Sequence, residues 1–411
     1  MTATALQQEE HLPEAIVCKW CGKSFHYLKS HISMGRCENI PESAKGLDVD
    51  EVVKMYTSAF PDEPTISRTA LAKLNEKRAE KHSGEGKVAE ISAHPGYAGT
   101  VEYKTELVAA HELLGVTIKE LGTPRGKPLQ VTVNVNTPYP EFVPEAKKNY
   151  VYGDFDLIKD IFMMLEIGIP GYLWGHAGTG KSSLPTQLCA LLNRPLIRAQ
   201  HTASMEEAHV TGQILALDGS TYFEPGLLAL AMKNGWVYLA DEYDFAFPQI
   251  LGVYQPVLEG EPLIIKEATP DWRRITPHKR FAFIGTGNTN GSGDETGLYQ
   301  GTNIQNAANF SRFGIVSNVK YMSTKAEVNM LAEAGVIREY AEKMVKFANL
   351  VREGYEQHLI SQPIGPRELL LSAKIGMMRG DFSAGIEKSF INKLPSTSAQ
   401  AAREVVQKIF G

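Results

Sequence analysis

The chain has 411 residues, 43 % of them hydrophobic, enough to bury a large core spread over two or three domains. Its 42 Lys and Arg stand against 47 Asp and Glu, a formal net charge of −5, which argues against a protein that coats nucleic acid over its whole surface. No apolar run approaches the ~20 residues that span a bilayer, the amino terminus is polar and acidic, and three of the four cysteines cluster, so a cytoplasmic protein without membrane contact is expected.

Residues 1–45 carry Cys18-Lys-Trp-Cys21, then His31 and Cys37, the spacing Cys-x2-Cys-x9-His-x5-Cys. Thiolates and an imidazole in two close pairs suit tetrahedral Zn²⁺, and so short a segment cannot fold on its apolar residues alone. Cys21-Gly-Lys-Ser-Phe25 with Leu28 and His31 resembles a classical zinc finger, in which Phe25 and Leu28 form the small core behind the metal. The stretch from Cys21 to His31 is shorter than in that finger and Cys37 replaces its last His, so a shortened finger or zinc knuckle is expected, with His26 as an alternative ligand. Lys19, Lys23, Lys29 and Arg36, interleaved with Trp20 and Tyr27, permit contact with nucleic acid. No base-reading side chain is evident, and docking to a protein is the favoured role.

Residues 46–140 read as a charged linker or accessory region. Leu71 to His82 predicts a solvated helix, Ser83-Gly-Glu-Gly86 a hinge, Val101 to Leu121 another helix and Leu129 to Val135 a strand. Thr123-Pro-Arg-Gly-Lys-Pro128 and Asn136-Thr-Pro-Tyr-Pro140 mark loops on either side of that strand. Whether this region folds alone or packs on the chain beyond residue 140 is open at this point.

Residues 141–320 predict an α/β nucleotide-binding domain. Gly171 to Trp174 is a buried strand, Ser183 to Leu192 a helix with Pro185 in its first turns, and between them lies Gly175-His176-Ala177-Gly178-Thr179-Gly180-Lys181-Ser182. In this phosphate loop the backbone N–H groups wrap a polyphosphate and Lys181 reaches its β- and γ-phosphates, while Ser182 offers its hydroxyl to Mg²⁺. Cys189 on the following helix reads as a small core residue. Gly235 to Ala240 is an apolar strand ending in Asp241-Glu242, which suits Asp241 to Mg²⁺ and Glu242 to the attacking water. Arg280 to Asn288 is a second such strand, with Asn288 at its tip to bond the γ-phosphate or that water. Arg312, in Asn309-Phe-Ser-Arg-Phe-Gly314, and Arg367, in Gly365-Pro-Arg-Glu368, suggest a γ-phosphate finger and a second nucleotide sensor. Further strands at Pro195 to Ala199 and Ile315 to Val319 complete a parallel sheet with its ligands at the carboxyl ends of the strands. Residues 321–411 read as a helical lid, with helices at Lys325 to Ala334, Ile337 to Tyr355 and Arg367 to Met378.

Four stretches now stand together: Asp241-Glu-Tyr-Asp244, Phe281-Ala-Phe-Ile-Gly-Thr-Gly-Asn-Thr289, Gly293-Asp-Glu-Thr-Gly-Leu-Tyr-Gln-Gly-Thr302 and Ser311-Arg-Phe313. From about residue 150 to about residue 378 the chain resembles AAA+ ATPases of the MoxR-related branch, in particular the CobS-type ATPase subunits of aerobic cobaltochelatase. The resemblance implies ATP and Mg²⁺ as ligands, Lys181 and Ser182 as the phosphate-loop pair, and Asp241 and Glu242 as the Walker B pair. It implies Asn288 as first sensor, Arg312 as a finger to a neighbour's nucleotide and Arg367 as second sensor. A site completed between subunits implies a ring, typically of six. Gln213 to Leu217 and Ser220 to Glu224 read as strands around Asp218-Gly219, a hairpin that faces the working surface of related rings. The implied partners are a von Willebrand A-type protein and a large chelatase subunit, and the implied reaction is cobalt insertion into a corrin precursor. The alternative is a nucleic-acid-associated AAA+ ATPase guided by its zinc finger.

Overall fold

The computed structural model describes residues 13–34, 36–45, 47–61, 63–70, 73, 101–217 and 220–411. The expected helix over 71–82 (but for Lys73) and the hinge at 83–86 lie outside the described residues. The chain divides into two compact units.

In the amino-terminal unit β1 (Ile16–Val17) pairs antiparallel with β2 (Ser24–Phe25), Ile16 opposite Phe25. Helices α1 (Leu28–Ser33) and α2 (Val49–Ala59) follow. Asp48 caps α2, its carboxylate accepting the Asp50 N–H at 3.2 Å. Phe25 and Leu28 are buried with Ile16, Ile32, Val52 and Tyr56 in one small core, and the Tyr56 hydroxyl accepts the Lys19 N–H at 3.0 Å.

The larger unit corrects one expectation at its start. Residues 101–121 do not form a single helix: β3 (Thr105–Ala109) pairs antiparallel with β4 (Gln130–Asn134), and only α3 (Ala110–Leu114) is helical before Gly115 stops it at φ +67°. A run of Leu and Val fits either period over so short a stretch, and pairing with β4 decides between them. Ala110, Leu114, Leu121 and Val131 share one core with Leu157, Ile161 and Leu188, so this region packs on the α/β body.

That body is a five-stranded parallel sheet. Its strands are β5 (Gly171–Trp174), β6 (Leu196–Gln200), β9 (Val237–Asp241), β10 (Ala282–Gly287) and β11 (Ile315–Asn318), in the order β11-β5-β10-β9-β6. Every residue of β9 and β10 is buried, the pattern of parallel strands covered on both faces. Helix α4 (Phe155–Ile167) starts at Asp154, whose side chain accepts the N–H groups of Asp156 and Leu157, and buries Ile158, Ile161, Phe162 and Leu165 at helical spacing. Helix α5 (Ser183–Leu191) accommodates Pro185 in its first turn, where the missing N–H has no helical acceptor to lose.

Helix α6 (Glu207–Thr211) precedes the hairpin of β7 (Gly212–Leu217) and β8 (Ser220–Pro225), as the sequence predicts; its turn at 218–219 lies outside the described residues. Helix α7 (Leu227–Asn234) leads into β9.

After β11 the chain is helical: α8 (Thr324–Glu333), α9 (Arg338–Glu356), α10 (Pro366–Arg379), α11 (Phe382–Ser389) and α12 (Ser396–Phe410). The first three match expectation and the last two extend it. These helices enclose a separate core around Leu331, Met344, Phe347, Leu369 and Phe390, which gives the carboxyl-terminal helices their own packing. Among the described residues no helix is long and apolar enough to cross a membrane.

Candidate nucleotide site and metal cluster

The strand order places the carboxyl ends of β5, β10 and β9 side by side, and the sequence-predicted nucleotide-site residues other than Arg312 gather there. Gly175 leaves β5 at φ +145°, and a Cβ on it would fall 2.4 Å from the Val319 carbonyl oxygen, so only glycine fits. Gly178 and Gly180 also take positive φ. The Thr179 hydroxyl closes the loop onto the His176 carbonyl at 2.9 Å, and the Ser183 hydroxyl lies 3.2 Å from that of Tyr150. Lys181 is buried; its Nζ donates to the carbonyls of Gly175 (2.6 Å) and His176 (2.9 Å) and to Asn288 Oδ1 (3.1 Å). Burial pulls its pKa down to about 8.

Asp241 lies at the end of β9 with its carboxylate fully engaged. Oδ1 accepts the hydroxyls of Ser182 and Thr286 (the latter at 2.5 Å), and Oδ2 accepts Arg198 Nε at 2.7 Å and a second Arg198 nitrogen. Burial opposes its ionisation, yet the bonds from Ser182, Thr286 and Arg198 hold it below the usual carboxylate range. Glu242 turns out of the strand at φ +53°, its N–H donating to Thr286 Oγ1 at 3.2 Å and its carboxylate accepting Gln200 Nε2. Burial and the neighbouring charges of Asp241 and Asp244 push Glu242 up. Ser182 and Asp241 thus form a hydroxyl and carboxylate pair suited to Mg²⁺, with Glu242 beside it.

Asn288 caps β10 under the control of Asp244, whose Oδ2 accepts the N–H groups of Asn288 (2.8 Å) and Thr289 (2.9 Å) and the Thr289 hydroxyl (3.0 Å). Arg367 opens α10 beside the loop: a Cβ on Gly178 would lie 3.5 Å from that of Arg367. Arg312 stands apart. Its Nε pairs with Glu259 at 2.7 Å and its guanidinium also donates to the Ala308 carbonyl.

Sequence reasoning missed Arg198, Gln200, Thr286, Asp244 and Tyr299. Arg198 and Gln200 alternate on the exposed face of β6, with Gln200 in register with Asp241. A polar i, i+2 pair at the carboxyl end of an otherwise apolar strand was the available signal. Tyr299 reaches the loop from the Gly293–Thr302 stretch, its hydroxyl 3.1 Å from Ala177 N and 2.9 Å from His176 Nδ1.

Two cavities flank the phosphate loop. One of about 400 Å³ is lined by Tyr150, Tyr152, Phe155, Gly180, Tyr321 and Met322. The other, of about 490 Å³, is lined by His176, Asn288, Asp294, Tyr299, Arg352 and Tyr355.

In the amino-terminal unit, Cys18, Cys21, His31 and Cys37 bring one ligand atom each to within 4.8 Å of one another. Cys18 Sγ lies 3.8 Å from Cys37 Sγ, and Cys21 Sγ lies 3.3 Å from His31 Nε2. Metal–sulfur bonds of about 2.3 Å and metal–nitrogen bonds of about 2.0 Å in a tetrahedron give edges close to these. His26 is exposed and its Nδ1 is 3.1 Å from both the Glu14 carbonyl and Ser67 Oγ, so it stands outside the cluster. Lysines of this unit are paired with carboxylates: Lys19 with Glu63, Lys23 with Glu38, Lys29 with Asp50 and Lys45 with Glu42.

Residues 172–302 match the AAA domain of the dynein-related subfamily. Over 249 residues the chain is 32 % identical to the aerobic cobaltochelatase subunit CobS of a Sinorhizobium species, a match covering 58 % of this chain and 74 % of that one. An uncharacterized protein of Staphylococcus aureus is 23 % identical over 272 residues, covering 62 % of this chain and 96 % of the relative. Among solved structures, the Thermotoga maritima RuvB Holliday junction branch migration motor aligns at a TM-score of 0.37 and 13 % identity, over 65 % of this chain and 72 % of that one.

Proposed function

The chain belongs to the AAA+ ATPase family of the cobaltochelatase subunit CobS, and from that premise we propose that it is a Mg²⁺-ATP-hydrolysing ring motor that remodels a partner complex. The observation that carries this reading is the convergence of Lys181, Ser182, Asp241, Glu242 and Asn288 at one end of the sheet. Lys181 binds the β- and γ-phosphates, the cavity walled by Tyr150, Phe155 and Met322 takes the base, and Asn288 and Arg367 contact the phosphate end. Ser182 and Asp241 hold Mg²⁺, which when bound neutralises phosphate charge. Glu242, as its carboxylate, accepts a proton from the attacking water, and its raised pKa makes that carboxylate a stronger base.

Arg312 contacts Glu259 and the Ala308 carbonyl rather than this chain's own phosphate loop, which leaves it to serve as a finger on a neighbour's nucleotide in a ring, hexameric by analogy with the family. We assign 141–320 as the engine, 321–411 as the lid and 1–45 as a zinc module held by Cys18, Cys21, His31 and Cys37; of the stretch 46–140, α2 packs on the module and residues 105–134 pack on the engine. The pairing of Lys19, Lys23 and Lys29 inside the module favours a protein over nucleic acid as its ligand. By analogy with CobS, the partners are a von Willebrand A-type protein and a large chelatase subunit in the cytoplasm, with metal insertion as the task.

The test is Glu242→Gln, which is expected to bind ATP but hydrolyse it about 10²–10⁴-fold more slowly. Used as an ATP-locked bait in its native extract, it should recover chelatase-type partners. Normal turnover in the variant would refute the role of Glu242, and recovery of nucleic acid instead would replace the chelatase assignment.

A further inference from the structure

The Gly293–Thr302 stretch is the most distinctive motif of the sequence, and no assigned step of ATP hydrolysis uses it. Its residues build one rigid turn. The Asp294 carboxylate accepts the N–H of Thr296 (2.9 Å), the Thr296 hydroxyl (2.7 Å) and the N–H of Tyr299 (2.6 Å). Gly293, Gly297 and Gly301 all take positive φ, and the Thr302 N–H and hydroxyl both return to the Tyr299 carbonyl, at 3.1 and 3.0 Å. The turn therefore fixes the Tyr299 backbone from both sides, and the Tyr299 hydroxyl reaches out of it onto the phosphate loop.

There the hydroxyl accepts the Ala177 N–H at 3.1 Å and donates to His176 Nδ1 at 2.9 Å. Burial, with the charge of Lys181, pulls the His176 pKa down and favours the neutral ring, whose Nε2–H tautomer leaves Nδ1 to accept from the hydroxyl. The far side of the same ring belongs to the lid. His176 lies parallel to Tyr321, with centroids 5.9 Å apart, and edge-on to Tyr355 of α9 at 5.7 Å. Arg352, also of α9, covers Tyr321 at 4.0 Å and grips the buried Glu327 carboxylate through two bonds of 2.7 and 2.8 Å.

We propose that Tyr299 is a positioning residue for the phosphate loop, its hydroxyl holding Gly175 to Gly178 in the ATP-binding shape before the nucleotide arrives. The loop has no regular structure between β5 and α5, and its backbone N–H groups must converge on phosphate without further rearrangement. Engaging the Ala177 N–H and orienting His176 removes two degrees of freedom from the half of the loop that Lys181 braces only through carbonyls. The effect falls on ATP binding rather than on the chemical step, because Glu242 and Asp241 make no bond to this turn.

The inference rests on the ATP-site reading, so both are measured together in the full chain. Tyr299→Phe keeps the ring and leaves the Asp294 turn intact, since that turn uses only the backbone of residue 299. Calorimetric titration with a non-hydrolysable ATP analogue should show about a fivefold weaker Kd, the factor for one net hydrogen bond. KM for ATP should rise by the same factor with kcat within twofold of the parent. Asp294→Asn, which weakens the turn and keeps the hydroxyl, should also weaken binding. The double variant should bind no worse than the weaker single one, because both changes break one device. Unchanged Kd in Tyr299→Phe, a fall in kcat at constant KM, or additive losses in the double variant would overturn the inference. A parent chain that fails to bind ATP would overturn the ATP-site reading together with it.

Discussion

The two units of this chain are stabilised by different means. In the α/β body, β9 and β10 are wholly buried and the core that covers them runs from Ala110 to Val319, so apolar burial alone accounts for a cooperative fold. In the amino-terminal unit the strands are two residues long and the core is a handful of side chains around Phe25, Leu28 and Tyr56. Its remaining organising feature is the Cys18, Cys21, His31 and Cys37 cluster, where a bound metal would supply the free energy that the core lacks. A difference of this kind can be broken on one side at a time.

The largest effect belongs to the body and leaves both folds untouched. Arg312→Ala removes a partly exposed guanidinium whose partners are Glu259 and a carbonyl, and should cost little stability. ATP turnover should nevertheless fall about 10³-fold, the scale of a lost arginine finger, with ATP affinity unchanged. Mixing this variant with Lys181→Ala protein should restore some hydrolysis, because each supplies what the other lacks across a subunit boundary. If the mixture stays inactive, the finger does not act in trans and the ring argument loses its support.

Metal removal reverses the pattern. Chelation, or Cys18→Ser, should abolish the structure of the amino-terminal unit, read as loss of its amide protection in hydrogen exchange. The body should keep its melting transition and its ATPase. A body that melts or stops turning over under mild chelation would show that the two regions are not energetically separate.

Legibility in the sequence divides along similar lines. The strands of the sheet, the phosphate loop and the Asp241-Glu242 tip were legible because each is local: an apolar run, then a fixed polar spacing. The helix expected over 101–121 failed because the partner that makes Thr105–Ala109 a strand lies more than twenty residues away in β4. Asp244 and Thr286 were illegible for a related reason, and Arg198 and Gln200 showed only a polar spacing that does not name their partners. Each acts by bonding a group on another strand or loop, as Asp244 does with Asn288 and Thr289, and nothing in its own neighbours records that. The Cys and His cluster lies between these cases, since the spacing pointed to His31, which the structure brings to Cys21, while the geometry was needed to set His26 aside.

The smallest expected effect is a pH dependence, and its sign differs between the two units. On the proposed reading ATP binds the charged form of Lys181, which burial lowers to about 8 in the ATP-free site. As pH rises through this value the binding-competent fraction falls, while phosphate charge raises the lysine pKa once ATP is bound. ATP affinity should therefore drop about fivefold between pH 8 and pH 9, the change in protonated fraction across one unit above the midpoint. Lys181→Arg keeps a charge throughout this range, so whatever affinity it retains should be flat with pH. Metal binding by thiols and imidazole releases protons and weakens in the opposite direction, as pH falls. A titration that follows ATP affinity and amino-terminal amide protection in one sample should show the body failing on the alkaline side and the module on the acid side. Loss of both on the same side would mean that Lys181 is not the group whose charge limits nucleotide binding.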